Sequence, residues 1–247
     1  MDMTFDDAAT GGSRTMASVL ADTILRDIVS GALAPGSKLK IRELADRYQA
    51  GVIPLREAVS RLAMSGFVDA EDQRGFRVTP VSRADLEDIT SVRQCIESEA
   101  LRDAIDSGNL EWEASVLAAF HLVNSLPTVI DEPPRMNPDW ERAHDHFHAT
   151  LLAGCRSKWL RHFAATLRTQ TARYRHQSLR SQHADERDVG REHEAIVKAV
   201  LARDADRACE LLREHFAATA RLVLEDSTPA NSAAPAPRSA GKARAPR

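Results

Sequence analysis

From residue 81 to 226, apolar residues recur at helical spacing almost without a break, and no other feature limits the possible folds as strongly. Ser82 and Asp85 frame a helix start, and that helix runs to about Ser107, where Gly108 and Asn109 stop it. A second helix covers about 110–126. The stretch from Pro127 to Pro138 holds four prolines and reads as a loop. Further helices span roughly 139–154, 157–180, 187–203 and 205–225. The pattern predicts a six-helix bundle with one long crossover.

The segment from about 16 to 80 has a different rhythm. A helix from Ser18 to about Ser30 is expected to bury Val19, Ile24, Ile28 and Val29 and to stop at Gly31. Pro35 and Gly36 turn the chain into a short helix, Ile41 to about Tyr48, and a tight connection follows through Ala50 and Gly51. The next helix, about Val52 to Ser65, holds Pro54 in its first turn, where proline gives up no intrahelical bond. It carries Leu55, Val59, Leu62 and Ala63 on one side and ends at Gly66. Two β-rich pieces, Phe67 to Ala70 and Phe76 to Thr79, flank Glu71-Asp72-Gln73-Arg74-Gly75. Three helices and a hairpin make a winged helix-turn-helix. The expected fold is therefore mainly α, with a winged helix-turn-helix over 16–80 and an all-helical domain over 81–226. Residues 1–15 are small, polar and aperiodic, and 227–247 are rich in Pro, Ala and basic residues; both ends read as disordered.

In a helix-turn-helix the second helix of the pair enters the major groove of double-stranded DNA. Here that helix carries Arg56 and Arg61, the preceding one begins with Arg42, and the wing offers Arg74 and Gly75. The net charge of -3 does not exclude such a partner, because phosphate contacts come from a local basic patch. No run approaches the ~18 apolar residues of a membrane helix. The first residues lack the basic start and apolar stretch of a signal peptide. Cys95, Cys155 and Cys209 have no CxxC spacing and read as free thiols. A cytoplasmic, DNA-binding protein with no membrane partner is the expectation.

The phrases GALAPGSKLKIRELADRY and GVIPLREAVSRLAMSGFVDAEDQRGFRV, with the helices behind them, resemble the GntR family of regulators, in the FadR-type branch that carries an FCD effector domain. The resemblance covers nearly the whole chain from 16 to 226. It implies a homodimeric transcription factor on a pseudo-palindromic operator, under the control of a small effector, and not an enzyme. Many relatives place Ser-Arg-Thr before the proline, where this chain has Gly51, Val52 and Ile53. Val52 and Ile53 offer only apolar contact, for instance to a thymine methyl. GV-x-PLREA, with DW-x-x-x-H-x-x-FH, LLAGC-x-S and ARYR, is similar to the carbon-starvation-induced repressors. That similarity implies control of short-dicarboxylate catabolism by glutarate.

Four histidines sit at positions suited to a metal. His144 and His148 are four apart and share one helix face with Leu151 and Cys155. His193 lies on the stripe of Val189, Ile196 and Val200, and His215 on that of Ala208, Leu211, Thr219 and Leu222. His193 and His215 stand at similar heights either side of a turn near Arg203 and Asp204. Each is also a candidate core histidine satisfied by hydrogen bonds, but burying several polar rings without a shared partner is costly. FCD domains often hold a divalent metal with an aspartate and three histidines. The resemblance matches His148, His193 and His215 to those three and puts His144 at the aspartate position. Asp145 is rotated ~100° around the helix and is a poor substitute. An all-imidazole set favours zinc, with nickel or copper behind it, over magnesium or calcium. An anionic effector would then supply the missing carboxylate.

Arg93 lies on the inward stripe of Ile89, Ile96 and Ala100, and a buried guanidinium needs an anionic partner. That partner is a carboxylate effector or a helix glutamate such as Glu97 or Glu99. Arg173, Tyr174 and Arg175 lie on a neighbouring helix, and Arg173 and Tyr174 join Arg93 as effector candidates. Two other readings compete: a regulator that senses the metal itself, and a metal-dependent hydrolase. The second lacks support, since the segment at 193 is His-Glu-Ala-Ile-Val rather than HExxH, and no GxSxG or phosphate loop is present.

Overall fold

The computed structural model describes residues 15–71, 75–131, 135–178 and 187–225. Arg74 and the tail beyond 225 lie outside these residues, as does the expected disordered start except for Thr15, whose side chain caps the first helix. That helix, α1 (Met16–Val29), begins where the Thr15 hydroxyl accepts from the Ser18 amide at 3.2 Å. It buries Ala17, Leu20, Ile24 and Ile28, while Val19 stays 45% exposed. The expected stripe was thus one position off at its start. After α1 come β1 (Lys38–Leu39), α2 (Ile41–Arg47), α3 (Val52–Met64), β2 (Val68–Glu71) and β3 (Gly75–Val78). The strands form one antiparallel sheet in the order β1-β3-β2, with Leu39 opposite Phe76 and Val68 opposite Val78. Strand β1 was not anticipated: two residues between turns carry too little periodicity to be read as a strand.

The helical part runs α4 (Arg83–Ser107), α5 (Leu110–Asn124), α6 (Pro138–Leu151), α7 (Lys158–Ser178), α8 (Val189–Leu201) and α9 (Ala205–Glu225), six helices among the described residues, as the periodicity requires. Ser82 caps α4 by accepting from Asp85, and Asn109 caps α5 by accepting from Trp112. Gly108 between them is obligatory for space, because an added Cβ would sit 2.2 Å from the Trp112 ring. In the proline-rich stretch read as a loop, β4 (Val129–Ile130) and β5 (Arg135–Met136) pair as a small hairpin. Pro138 belongs to the next helix rather than to the loop. It occupies the first turn of α6 behind Asn137, whose side chain accepts from the Asp139 amide.

Among the described residues two large hydrophobic cores form, with a smaller cluster of Leu86, Tyr174, Ala220 and Val223 beside them. Ile24, Ile28, Leu55, Val59 and Val78 centre the first, and Leu101, Val116, Phe147, Ile196 and Leu212 the second. α9 turns its Cys209, Leu212, Phe216 and Ala220 face inward, leaving Leu211 and Leu222 half-buried. His215 remains on the buried side. α7 packs against both α4 and α1, and the Gln170 amide on α7 donates to the Ser65 carbonyl at the end of α3. The helical part therefore holds the DNA-binding-type unit through α7. No helix among the described residues is long and apolar enough to cross a membrane.

Candidate metal centre and its cavity

α6 presents His144 and His148 one turn apart, α8 presents His193 and α9 presents His215, and all four rings are buried. One ring nitrogen from each converges so that all four lie within 4.8 Å of one another. The His144 and His148 ring centroids are 4.5 Å apart, and those of His193 and His215 4.9 Å. Nδ1 of His144, both nitrogens of His148 and Nε2 of His193 have no hydrogen-bond partner. A buried polar group left unpaired costs about 1–3 kcal/mol, so orphans gathered at one point are compatible with a bound cation. The donor set fits: neutral imidazoles suit zinc, nickel or copper. Burial, then the positive potential of neighbouring rings and arginines, pushes His144 and His148 well below the usual histidine range. Burial and His215 do the same for His193. His215 is pushed down by burial to about 4, against the pull of Glu192. These rings are therefore neutral at pH 7, the form that binds metal.

A second layer of groups orients one of these rings. Glu192 Oε2 lies 2.7 Å from His215 Nδ1, which leaves Nε2 turned toward the cluster. Arg187 holds that carboxylate at both oxygens, at 2.8 and 2.6 Å, and also donates to the Thr219 hydroxyl and the His215 carbonyl. Burial raises the Glu192 carboxyl, but the Arg187 and His215 hydrogen bonds outweigh it and hold the group down to about 2. Asp145 stands away from the cluster: its carboxylate takes a hydrogen bond from Arg175 at 3.0 Å and is 3.9 Å from His144 Nδ1.

Beside His144 and His215 lies a narrow cavity of about 20 Å³, room for one or two waters, lined also by Arg93, Thr171, Tyr174 and Arg175. Arg93 Nε donates to Glu97 at 2.7 Å and Nη1 to Thr171 at 2.9 Å, with its guanidinium 3.9 Å above the Phe216 ring. Glu97 is thus the present partner of Arg93, while exposed Glu99 plays no part. The other Glu97 oxygen has no hydrogen-bond partner and lies 3.9 Å from Arg168. Two buried guanidiniums, Arg93 and Arg168, therefore share the buried Glu97 carboxylate. Arg173 is not on the cavity lining; it donates to Asp85 at 2.9 Å, an acceptor it shares with the Tyr174 hydroxyl.

At the other end of the molecule, Arg42 and Arg56 are exposed on α2 and α3. Arg61 is engaged within the unit, donating to Glu57 at 2.6 Å and to Ser18 at 3.0 Å. Ile53 is 82% exposed and Val52 45% exposed in the first turn of α3. Gly51 caps that helix with no side-chain hydrogen bond. Gly75 opens β3 at φ +98, a conformation that suits glycine.

Residues 16–78 match the family described as bacterial regulatory proteins, gntR family, and residues 88–218 match the FCD domain. The chain belongs to the GntR family. Over 229 residues, 91% of the chain and 93% of the relative, this GntR regulator is 37% identical to the uncharacterized HTH-type transcriptional regulator BphR of Paraburkholderia xenovorans (strain LB400). It is 38% identical over 196 residues, 77% of the chain and 87% of the relative, to the HTH-type transcriptional repressor GlaR of Escherichia coli (strain K12). Among solved structures it shares the fold of E. coli McbR/YncC, with a TM-score of 0.71 at 16% identity, covering 87% of this chain and 100% of that one. A putative GntR regulator from Rhodococcus sp. RHA1 gives a TM-score of 0.65 at 18% identity, covering 85% and 97%. The chain is thus a DNA-binding transcriptional regulator and not a hydrolase.

Sequence reasoning missed Glu192, Arg187 and Arg168 in this regulator. Glu192 had a readable signal, since it directly precedes a candidate ligand. Arg187 and Arg168 had none, because their partners lie on other elements.

Proposed function

We propose that this GntR regulator is a repressor whose operator affinity is set by a short dicarboxylate, glutarate being the first to try. The acid binds at a divalent metal, zinc before nickel, held by His144, His148, His193 and His215. The observation that carries this reading is the convergence of four buried imidazoles beside a cavity lined by the buried Arg93 and Arg175. A bound ion would supply a Lewis-acidic centre for one carboxylate. Arg93, Tyr174 and, across the cavity, Arg175 serve the acid's other end, with Arg173 behind them. The cavity as it stands is too narrow for such an acid, so entry must move side chains on α4, α7 and α9. α4 follows β3 by four residues, which links the cavity to the wing. The protein works as a homodimer on a two-fold operator, with Arg42, Arg56, Arg61, Arg74 and Gly75 at the DNA.

The test is the melting midpoint of zinc-loaded protein against C3 to C6 dicarboxylates, beside a chelated control. A ligand that binds only the folded state raises the midpoint. A rise for glutarate or a close analogue, lost on chelation and in Arg93→Ala, is expected. No rise for any acid removes the dicarboxylate. The all-imidazole donor set favours one second reading, in which the metal itself is sensed. Operator binding that follows free zinc and ignores acids would establish it.

A further inference from the structure

Arg175 touches two places at once. On one side it lines the cavity beside His144 and His215. On the other it donates to Asp145 at 3.0 Å and reaches Glu141 at 3.4 Å, both on α6. Glu141 also takes His176 on both carboxylate oxygens, at 3.1 Å each. Glu141, Arg142, Asp145 and His176 line one wall of a second cleft of about 540 Å³, and Leu25, Arg26, Asp27 and Val29 of α1 line the other. α1 is the helix on which α3 packs. The guanidinium of Arg175 therefore separates the cavity from the cleft between the helical bundle and the winged unit.

We propose that Arg175 is the positioning residue that couples the two: a carboxylate entering the cavity takes Arg175 from Asp145 and Glu141, and these two acids on the cleft wall facing α1 lose that partner. This rests on the acid-binding reading above. Asp145 makes the shorter contact, but its side chain is 44% exposed, so an incoming carboxylate on the dry side competes well for the same planar fork of donors. Asp145, then without Arg175, and Glu141, then held by His176 alone of the two, share the cleft with Asp27, an acid already shared by Arg47 and Tyr48 on α2 and its end. The charge on the cleft wall thus reports what occupies the cavity, with no need for the ligand to reach the winged unit. Linkage requires the converse: a state of α1 that prefers Arg175 on Asp145 must bind the acid less well.

The test uses full-length zinc-loaded protein, glutarate as probe, and a DNA fragment selected in vitro by the wild-type protein. Asp145→Asn removes the competing charge and is expected to tighten glutarate about three- to five-fold, the scale of a half-exposed ion pair. Arg175→Met keeps the stem and removes the cation. Without acid it should shift DNA affinity in the direction that glutarate shifts wild type, and added glutarate should shift it no further. Zinc stoichiometry and melting midpoint of each variant confirm that the protein is folded and loaded; if Arg175→Met is not, the Asp145→Asn arm decides. Weakened glutarate binding in Arg175→Met with unchanged acid-free DNA affinity would make Arg175 a gripping residue only and overturn the coupling. So would unchanged glutarate affinity in Asp145→Asn. If wild type binds no dicarboxylate, the acid-binding reading fails first and the coupling falls with it.

Discussion

The two halves of this regulator have interiors of different kinds. The core beneath the recognition helix is apolar throughout: Leu20, Ile24, Ile28, Leu55, Val59 and Val78 close it. Every buried polar or charged residue found among the described residues, from Arg93 to His215, lies in the helical half. So does every buried side-chain atom without a hydrogen bond. The nine histidines share the bias, since His121 is the first of them. The winged unit is held together by apolar packing. The helical unit carries unpaired buried groups, whose cost a bound metal or acid of the kind proposed above would relieve.

That contrast can be broken in three ways. The largest effect is expected from paired core truncations. Ile24→Ala should cost about 2–5 kcal/mol and Phe147→Ala about 3–5 kcal/mol by denaturant unfolding. The Ile24→Ala loss should be the same in zinc and in chelator, because distant sites add. Phe147 packs against the rings of His148 and His193, so its loss should be larger in zinc. Equal metal dependence in both variants would erase the distinction between the halves.

Acid comes next. Burial keeps the cluster histidines neutral in the folded chain, so below pH 6.5 the unfolded chain binds more protons. Stability of chelated protein is then full above pH 6.5 and falls as the pH drops, with the His215 share exhausted near pH 4. That share alone is about 3 kcal/mol at pH 4, as an order of magnitude. Amide exchange should show the helical half opening while Ile24 and Leu55 remain protected. Simultaneous loss of both would mean that the cluster does not dominate.

The smallest effect sharpens the metal side. Glu192→Gln should weaken zinc by about 10- to 100-fold in competition with a chelating dye, since His215 loses the carboxylate that orients it. Wild-type affinity in that variant would show that Arg187 and Glu192 serve only to tie α8 to α9.

Much of this was already written along the chain. Helix spacing depends on neighbours three and four residues away, so the six helices, the recognition helix with its early proline, and the inward faces of His144, His148, His193 and His215 follow from local order. Their convergence was legible because α8 and α9 are joined by a short turn, which sets their heights. Pairing was not, since it depends on groups brought together from distant positions. Only the packed structure gave Arg93 to Glu97 and Thr171, Glu192 to His215, and Asp145 to Arg175. It also put Arg175 rather than Arg173 on the cavity: two residues along a helix turn a side chain by ~200°, and which side faces inward depends on what packs against it.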